Sequence, residues 1–206
     1  MKKHGSATIN TLISTLINNL TIALAVFNLN LSTALANTPT TTGQTTMTTK
    51  SGEVNFTAIG KPGFLKIRGS SKDTQPTGHI DFANQQVNGV FSFDLKGLDT
   101  GIELRNEHMK EKYLEISKHP TATLKLKPIP ITAKDLQSDV KQKFTGELSL
   151  HGVTKEVSGD FEYKASDKMA SAKFSIRVSD FQIDIPKYMG VTVSESVDLD
   201  VKLLLN

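Results

Sequence analysis

From about residue 52 onward, apolar and polar residues alternate along most of the chain, and this two-residue period is typical of β-strands. The stretch from 144 to 163 shows it best: apolar or small residues occupy every second position on either side of the sequence Gly-Val-Thr-Lys at 152–155. Such alternation gives each strand one apolar face and one polar face. It predicts a β-hairpin with its turn at residues 152–155.

The same period recurs often enough to predict eight or more antiparallel strands. A sheet of that size curls, and closing it into a barrel removes the exposed edges. The predicted fold is therefore all-β, an antiparallel barrel of about eight strands, with a two-sheet sandwich as the alternative. The strand segments begin near residues 52, 65, 80, 87, 122, 144, 157, 170 and 197, and residues 181–185 continue the segment from 170 after a bend.

The segment between residues 99 and 120 lacks this period. Thr100 and Glu103 match a capping box, in which the Thr hydroxyl bonds the Glu amide and the Glu carboxylate reaches back. Helix-favouring residues continue to Tyr113, and Pro120 disfavours helical geometry just before the next strand. We therefore predict a helical insertion near residues 101–117, at the mouth of the barrel.

Three motifs carry a family resemblance: Thr-Gly at 100–101 followed by Arg-Asn-Glu-His at 105–108, Lys-His-Pro at 118–120, and Gly-Glu-Leu-Ser-Leu-His-Gly-Val-Thr-Lys-Glu at 146–156. Together they resemble the YceI-like family, from about Ser51 to Leu205. The resemblance implies a secreted, lipocalin-like barrel that holds a polyisoprenoid or another long-chain lipid.

The chain departs from the pattern of that family at three positions. Asn106 stands where Asp is usual, His119 where Tyr is usual, and Glu156 where Pro is usual. These positions belong to the polar residues of the motifs, so they bear on which lipid head group is recognised and leave the predicted fold unchanged.

The apolar face combines phenylalanine with glycine and alanine in the same register. One interpretation is that the small residues beside large rings leave room for a channel. The other is that inward glycine permits strand coiling and close packing of strands, and the sequence does not decide between the two. A channel of this kind suits an isoprenoid chain, whose tail has no hydrogen-bonding groups. The predicted ligand-binding residues on the strands are Phe56, Phe91, Phe93, Phe144, Phe161, Phe174 and Phe181.

Arg105, His108 and Met109 complete the predicted ligand-binding set, at the mouth. Arg105 and His108 are three residues apart, so they share one face of the predicted helix and offer donors to a polar head group. The alternative is an Arg that ties the helix to strand-end carbonyl groups, with His108 at the surface. The loop Pro186–Gly190 is interpreted either as a lid over the mouth or as ordinary loop packing.

The sequence offers no catalytic constellation. It contains no nucleophile elbow, P-loop or dinucleotide-type glycine run, so we predict a binding protein with no cofactor and no catalytic residues. No two histidines have metal-ligand spacing with an acidic residue, so no metal site is predicted. An enzyme acting on a lipid-like substrate is the alternative.

The N-terminus resembles a secretory signal. Residues 1–36 contain two lysines at the start, no acidic residue, an apolar stretch at 20–27 and an Ala-Leu-Ala end. The apolar stretch is too short to span a bilayer comfortably, which disfavours the alternative of a retained anchor. We expect cleavage after Ala36, a periplasmic or secreted protein, and no integral membrane anchor after cleavage.

Residues 37–50 are rich in threonine and nearly free of apolar side chains, which predicts a disordered leader before a single barrel domain at 51–206. The chain has no cysteine, which excludes disulfides and thiolate chemistry. Removal of residues 1–36 takes two of the 24 basic residues and none of the 21 acidic ones, leaving a net charge of +1. The remaining lysines are scattered among acidic residues, so we predict no nucleic-acid partner.

The implied partner is an apolar lipid or isoprenoid. An integral outer-membrane barrel with its apolar faces turned outward is a competing interpretation. The chain has no Trp, only three Tyr and no aromatic girdle, which favours the barrel that binds a ligand inside. The oligomeric state stays open, with a homodimer among the alternatives.

Overall fold

The computed structural model describes residues 45–61, 63, 65–71, 76–83, 85–131, 138–188 and 191–206. Among the described residues, eleven strands follow one another in chain order. They are β1 (Thr45–Lys61), β2 (Lys66–Ser71), β3 (Thr77–Ala83), β4 (Gln86–Asp94), β5 (Leu98–Asp99), β6 (Thr121–Pro130), β7 (Val140–Leu150), β8 (Val153–Lys164), β9 (Met169–Arg177), β10 (Lys187–Tyr188) and β11 (Val191–Leu205).

Eight of these strands close into an antiparallel barrel in the order β1, β3, β4, β6, β7, β8, β9, β11. The closing pair is β11 with β1, whose register runs from Thr49 opposite Leu205 to Lys61 opposite Thr192. The short strands β2, β5 and β10 extend the sheet beyond this ring. The predicted eight-stranded antiparallel barrel is thereby confirmed.

The first strand begins earlier than predicted. β1 starts at Thr45 and pairs with β3 over Thr45–Thr48, so the end of the predicted leader at 37–50 is strand. Threonine is β-branched and suits a strand, and Met47 packs against the core, where its Sδ accepts a weak bond of 3.8 Å from the Tyr163 hydroxyl. The rest of the predicted leader, residues 37–44, and the predicted signal lie outside the described residues.

The β7–β8 hairpin is present, but its turn lies earlier than predicted and shares only Gly152 with the predicted residues 152–155. The turn is the pair His151 and Gly152, with φ of 52° and 75°, and Val153 already belongs to β8. Two consecutive residues with positive φ give a turn whose twist matches that of the strands it joins.

The helical insertion is confirmed, but its predicted start is wrong. Helix α1 (Glu103–Glu107) leads into a π-helical turn at His108–Tyr113, where the Leu114 amide donates to the Met109 carbonyl at 2.9 Å. The residue before α1 is Ile102, and no side chain caps it. The predicted capping box fails because the Thr100 hydroxyl donates instead to Asn106 Oδ1 at 2.7 Å.

The predicted continuation of β9 at residues 181–185 is also wrong. A 3₁₀ turn at Val178–Phe181 ends the strand, and Gln182 follows with a left-handed φ of 58°. Phe181 and Ile183 are still buried in the core because the turn directs them inward.

Inward glycines let neighbouring strands approach closely. A Cβ at Gly146 would lie 2.8 Å from the carbonyl oxygen of Lys125, and a Cβ at Gly159 would lie 2.1 Å from that of Lys173. At these two positions the interpretation of glycine as a residue for close strand packing therefore holds.

The outer face of the barrel carries ion pairs between strands. Lys143 lies 2.6 Å from Asp160 across β7 and β8, and Arg177 lies 2.9 Å from Glu195 across β9 and β11. These side chains alternate with the buried ones, so the apolar face of each strand points inward. Within the described residues, no helix is both long and apolar enough to cross a membrane.

Candidate functional site

The barrel encloses an apolar cavity of about 520 Å³. Its walls come from β1, β2, β4, β6, β7, β8, β9 and β11, and α1 with the π-helical turn lies over part of it. The volume falls within the range of about 300–1,000 Å³ that is typical of small-molecule sites. The walls are lined mainly by leucine, isoleucine, valine, phenylalanine and alanine.

Few polar residues line the cavity, and four of the seven lie on or next to the helical insertion. Ile102 and Leu104, which also line it, are about half exposed at 53 % and 50 %. These exposed apolar side chains lie beside the polar residues of the helical insertion, so we assign the mouth of the cavity to this end of the barrel. The polar lining residues are Ser92, Thr100, Arg105, His108, Tyr113, Ser171 and Ser194.

Most of the residues predicted to bind a ligand line this cavity. Phe144 and Phe181 do not; they are 2 % and 1 % exposed and belong to the packed core. Phe144 packs edge-on against Phe174 with ring centroids 5.6 Å apart, so it holds a lining ring in place. The predicted residues that do line the cavity are Phe56, Phe91, Phe93, Arg105, His108, Met109, Phe161 and Phe174.

Alanine, not glycine, makes room on the cavity wall. Ala58, Ala170 and Ala172 line it, whereas Gly146 and Gly159 do not. In the sequence both residue types occupy the inward register. Their roles differ in the structure because the glycines lie where neighbouring strands approach closely, whereas the alanines face open space.

The loop interpreted as a lid contributes Pro186 to the cavity wall. Its next residues form β10, which pairs with the start of β11 through Lys187 opposite Thr192. Residues 189–190 lie outside the described residues, so the lid stays a prediction.

Arg105 is tied into the mouth by two hydrogen bonds. Its Nε donates to Thr100 Oγ1 at 2.9 Å, and its Nη2 donates to the Thr100 carbonyl at 2.8 Å. Asn106 completes the network: its Oδ1 accepts from the Thr100 amide at 2.8 Å, and its Nδ2 donates to Asp99 Oδ1 at 2.8 Å. This geometry supports the structural interpretation of Arg105, although the side chain also lines the cavity.

We expect Arg105→Met to lower stability by about 1–3 kcal/mol, because two bonds from a charged donor are lost. Thermal unfolding and amide exchange of residues 100–113 measure the effect. Arg105→Lys keeps the charge without the two-point geometry and should recover only part of the loss. An unchanged melting temperature with weaker binding of only those lipids that bear a polar head would instead assign Arg105 to the head group.

The fold also brings together a cluster that the sequence did not reveal. One ligand atom each from Glu115, His119 and His151 lies within 4.8 Å of the others. Hydrogen bonds from Lys118 and from His151 hold the pKa of the Glu115 carboxyl below its usual value. His151 is distant in sequence, and only the pairing of the hairpin with the segment after the insertion makes it a neighbour.

Comparisons with known proteins agree with this architecture. The family model described as YceI-like domain matches residues 27–205 and so begins within the predicted signal. No curated protein matches the chain.

Two solved structures share the fold. One is a polyisoprenoid binding domain from Saccharophagus degradans, with a TM-score of 0.60 and 15 % identity over 78 % of this chain and 97 % of that one. The other is BcnA from Burkholderia cenocepacia, with a TM-score of 0.59 and 17 % identity over 75 % of this chain and 96 % of that one. The extent of the family match establishes that this chain belongs to the YceI-like family.

Proposed function

We propose that this protein is an exported carrier that holds one long-chain apolar ligand inside its barrel: a polyisoprenoid, an isoprenoid quinone or a fatty-acid derivative. The observation that carries the proposal is the apolar cavity of about 520 Å³. A polyisoprenoid binding domain with the same fold supports the ligand class.

The size of the cavity argues for an occupant. Without a ligand, the apolar side chains that line about 520 Å³ of cavity stay unpacked or in contact with water. A ligand that fills the space removes this apolar surface from water, which contributes roughly 0.8 kcal/mol for each buried methylene group.

The position of the polar residues suits a ligand with an apolar tail and a small head. The cavity wall offers the tail almost no hydrogen-bonding groups, while Thr100, Arg105 and His108 lie at the helical insertion over the mouth. A head group needs only one or two donors for orientation. The tail would therefore enter the barrel and the head would stay near α1.

The ionisable lining residues make an enzyme the weaker alternative. Among the described residues that line the cavity, these are Arg105, His108 and Tyr113, and none is a carboxylate. His108 would be the candidate general base among them, and no carboxylate of the described lining would share the acid–base chemistry with it. A binding role needs hydrogen-bond donors at the mouth but no general base.

The outer face argues against the outer-membrane alternative. Charged pairs such as Lys143 with Asp160 and Lys173 with Asp200 lie where a membrane barrel would contact lipid tails. Charged side chains on such a surface are costly near the middle of a bilayer. Export itself rests on the signal-like residues 1–36 and is tested by sequencing the N-terminus of the exported protein, which should be Asn37.

Native mass spectrometry of the purified protein, followed by organic extraction, tests the proposed function. We expect a mass excess corresponding to one bound lipid per chain and an extracted apolar chain of uniform type. A ligand-free protein that also fails to take up added polyprenol, quinone and fatty amide would refute the carrier role. Chemical conversion of an added lipid would favour the enzyme.

A further inference from the structure

We propose that Glu115, His119 and His151 form a site for a divalent transition-metal ion such as Zn²⁺. One carboxylate and two imidazoles are a donor set that zinc accepts in three-ligand protein sites, where water takes the fourth position. The proposal does not depend on the ligand of the barrel cavity, since none of the three residues lines that cavity.

The spacing of the ligand atoms is close to what zinc requires. Around a tetrahedral ion with ligand bonds of about 2.0–2.1 Å, neighbouring ligand atoms lie about 3.3 Å apart. His151 Nε2 and Glu115 Oε2 are already 3.1 Å apart, and the widest separation in the cluster is at most 4.8 Å.

The surroundings of His151 match those of a metal-bound imidazole. Its Nδ1 lies 3.0 Å from the Phe181 carbonyl oxygen, which can only accept, so Nδ1 donates and Nε2 faces the Glu115 carboxylate. A backbone carbonyl on the second ring nitrogen is the usual outer partner of a metal-ligating histidine.

The other two ligands are also held in place. Lys118 Nζ lies 2.5 Å from Glu115 Oε1, which leaves Oε2 for the ion. The rings of His119 and His151 meet edge to face with centroids 4.8 Å apart. Gly152 leaves space for the His119 ring, because a Cβ on residue 152 would lie 2.8 Å from the Cε1 atom of His119.

An ion at this site would join two parts of the mouth. Glu115 and His119 follow the helical insertion, whereas His151 belongs to the turn between β7 and β8. Their neighbours Leu114 and Leu150 both line the cavity. The ion would therefore fix the cover of the cavity to the barrel.

The test is titration of the full chain, carrying no histidine tag, with ZnCl₂ by calorimetry, and with Co²⁺ by visible absorption. We expect one Zn²⁺ per chain with micromolar or tighter affinity, and the intense Co²⁺ absorption of a four-coordinate site. His119→Asn, Glu115→Gln and His151→Asn should each weaken Zn²⁺ binding by about 100-fold or more, beyond the usual effect of an outer partner. Asn suits position 151 because it tolerates the positive φ of the turn.

His79→Asn is the matched control, since the half-exposed His79 lies on β3, 3.6 Å from the carboxylate of Asp81. It should bind Zn²⁺ as the wild type does. Circular dichroism and melting without metal show that each variant is folded, and His119→Asn and Glu115→Gln test the site if His151→Asn is unstable. No Zn²⁺ binding by the wild type, or equal binding by the folded ligand variants, would overturn the proposal.

Discussion

Replacing Gly159 with alanine is expected to lower the free energy of unfolding by about 1–3 kcal/mol, the usual cost of forcing an extra methyl group into a packed interior. The new Cβ would lie 2.1 Å from the Lys173 carbonyl oxygen on β9. A backbone carbonyl cannot rotate aside as a flexible side chain can, so β8 and β9 must separate. In a domain of this size the melting temperature should fall by about 2–12 °C, with or without ligand.

Gly63→Ala is the matched control for this substitution. A Cβ at Gly63 would meet no atom of the described residues within 4 Å, and the backbone there is outside the left-handed region. Alanine should leave the free energy of unfolding unchanged or raise it by up to about 1 kcal/mol, because it reduces the conformational entropy of the unfolded chain. Thermal unfolding followed by circular dichroism compares the two variants. A melting temperature equal to that of the wild type for Gly159→Ala would contradict the close approach of β8 and β9.

The barrel could be predicted because its strands obey a local rule. Alternation along β4 and β7 assigns each side chain to one face without any knowledge of neighbouring strands. Boundaries were harder where another interaction competes with the local pattern. Thr100 has the sequence of a cap, but its hydroxyl bonds Asn106, and His151 adopts the positive φ that the sequence assigned to a later turn.

The cavity could be predicted in kind but not residue by residue. The period places Phe144 and Phe174 on the same inward face, yet only Phe174 lines the cavity. Whether an inward side chain meets another ring or open space depends on strand tilt and on the distance between strands, which alternation does not encode. The cluster around His151 shows the same limit, because its members are joined by topology and not by spacing in the sequence.

Replacing Ala172 with phenylalanine is expected to remove most of the bound ligand while the barrel still folds. Ala172 lies on β9 between Phe161 and Val201, its partners on the neighbouring strands, and all three line the cavity. The added ring enters apolar space, so it buries its own surface and takes volume from the ligand. If the added ring destabilises the complex with the ligand by about 1–3 kcal/mol, the affinity falls roughly 5- to 150-fold.

Thr145→Phe is the matched control. It places the same ring on the outer face of β7, because Thr145 lies between Phe144 and Gly146, which belong to the buried inner face. Lipid occupancy, measured by native mass spectrometry for each folded variant, should stay at the wild-type level for Thr145→Phe and fall for Ala172→Phe. The melting temperature of ligand-free Ala172→Phe should equal or exceed that of the ligand-free wild type, because unfilled apolar volume is reduced. Full occupancy in Ala172→Phe would show that the ligand lies outside the barrel, and the carrier function would then need a different surface.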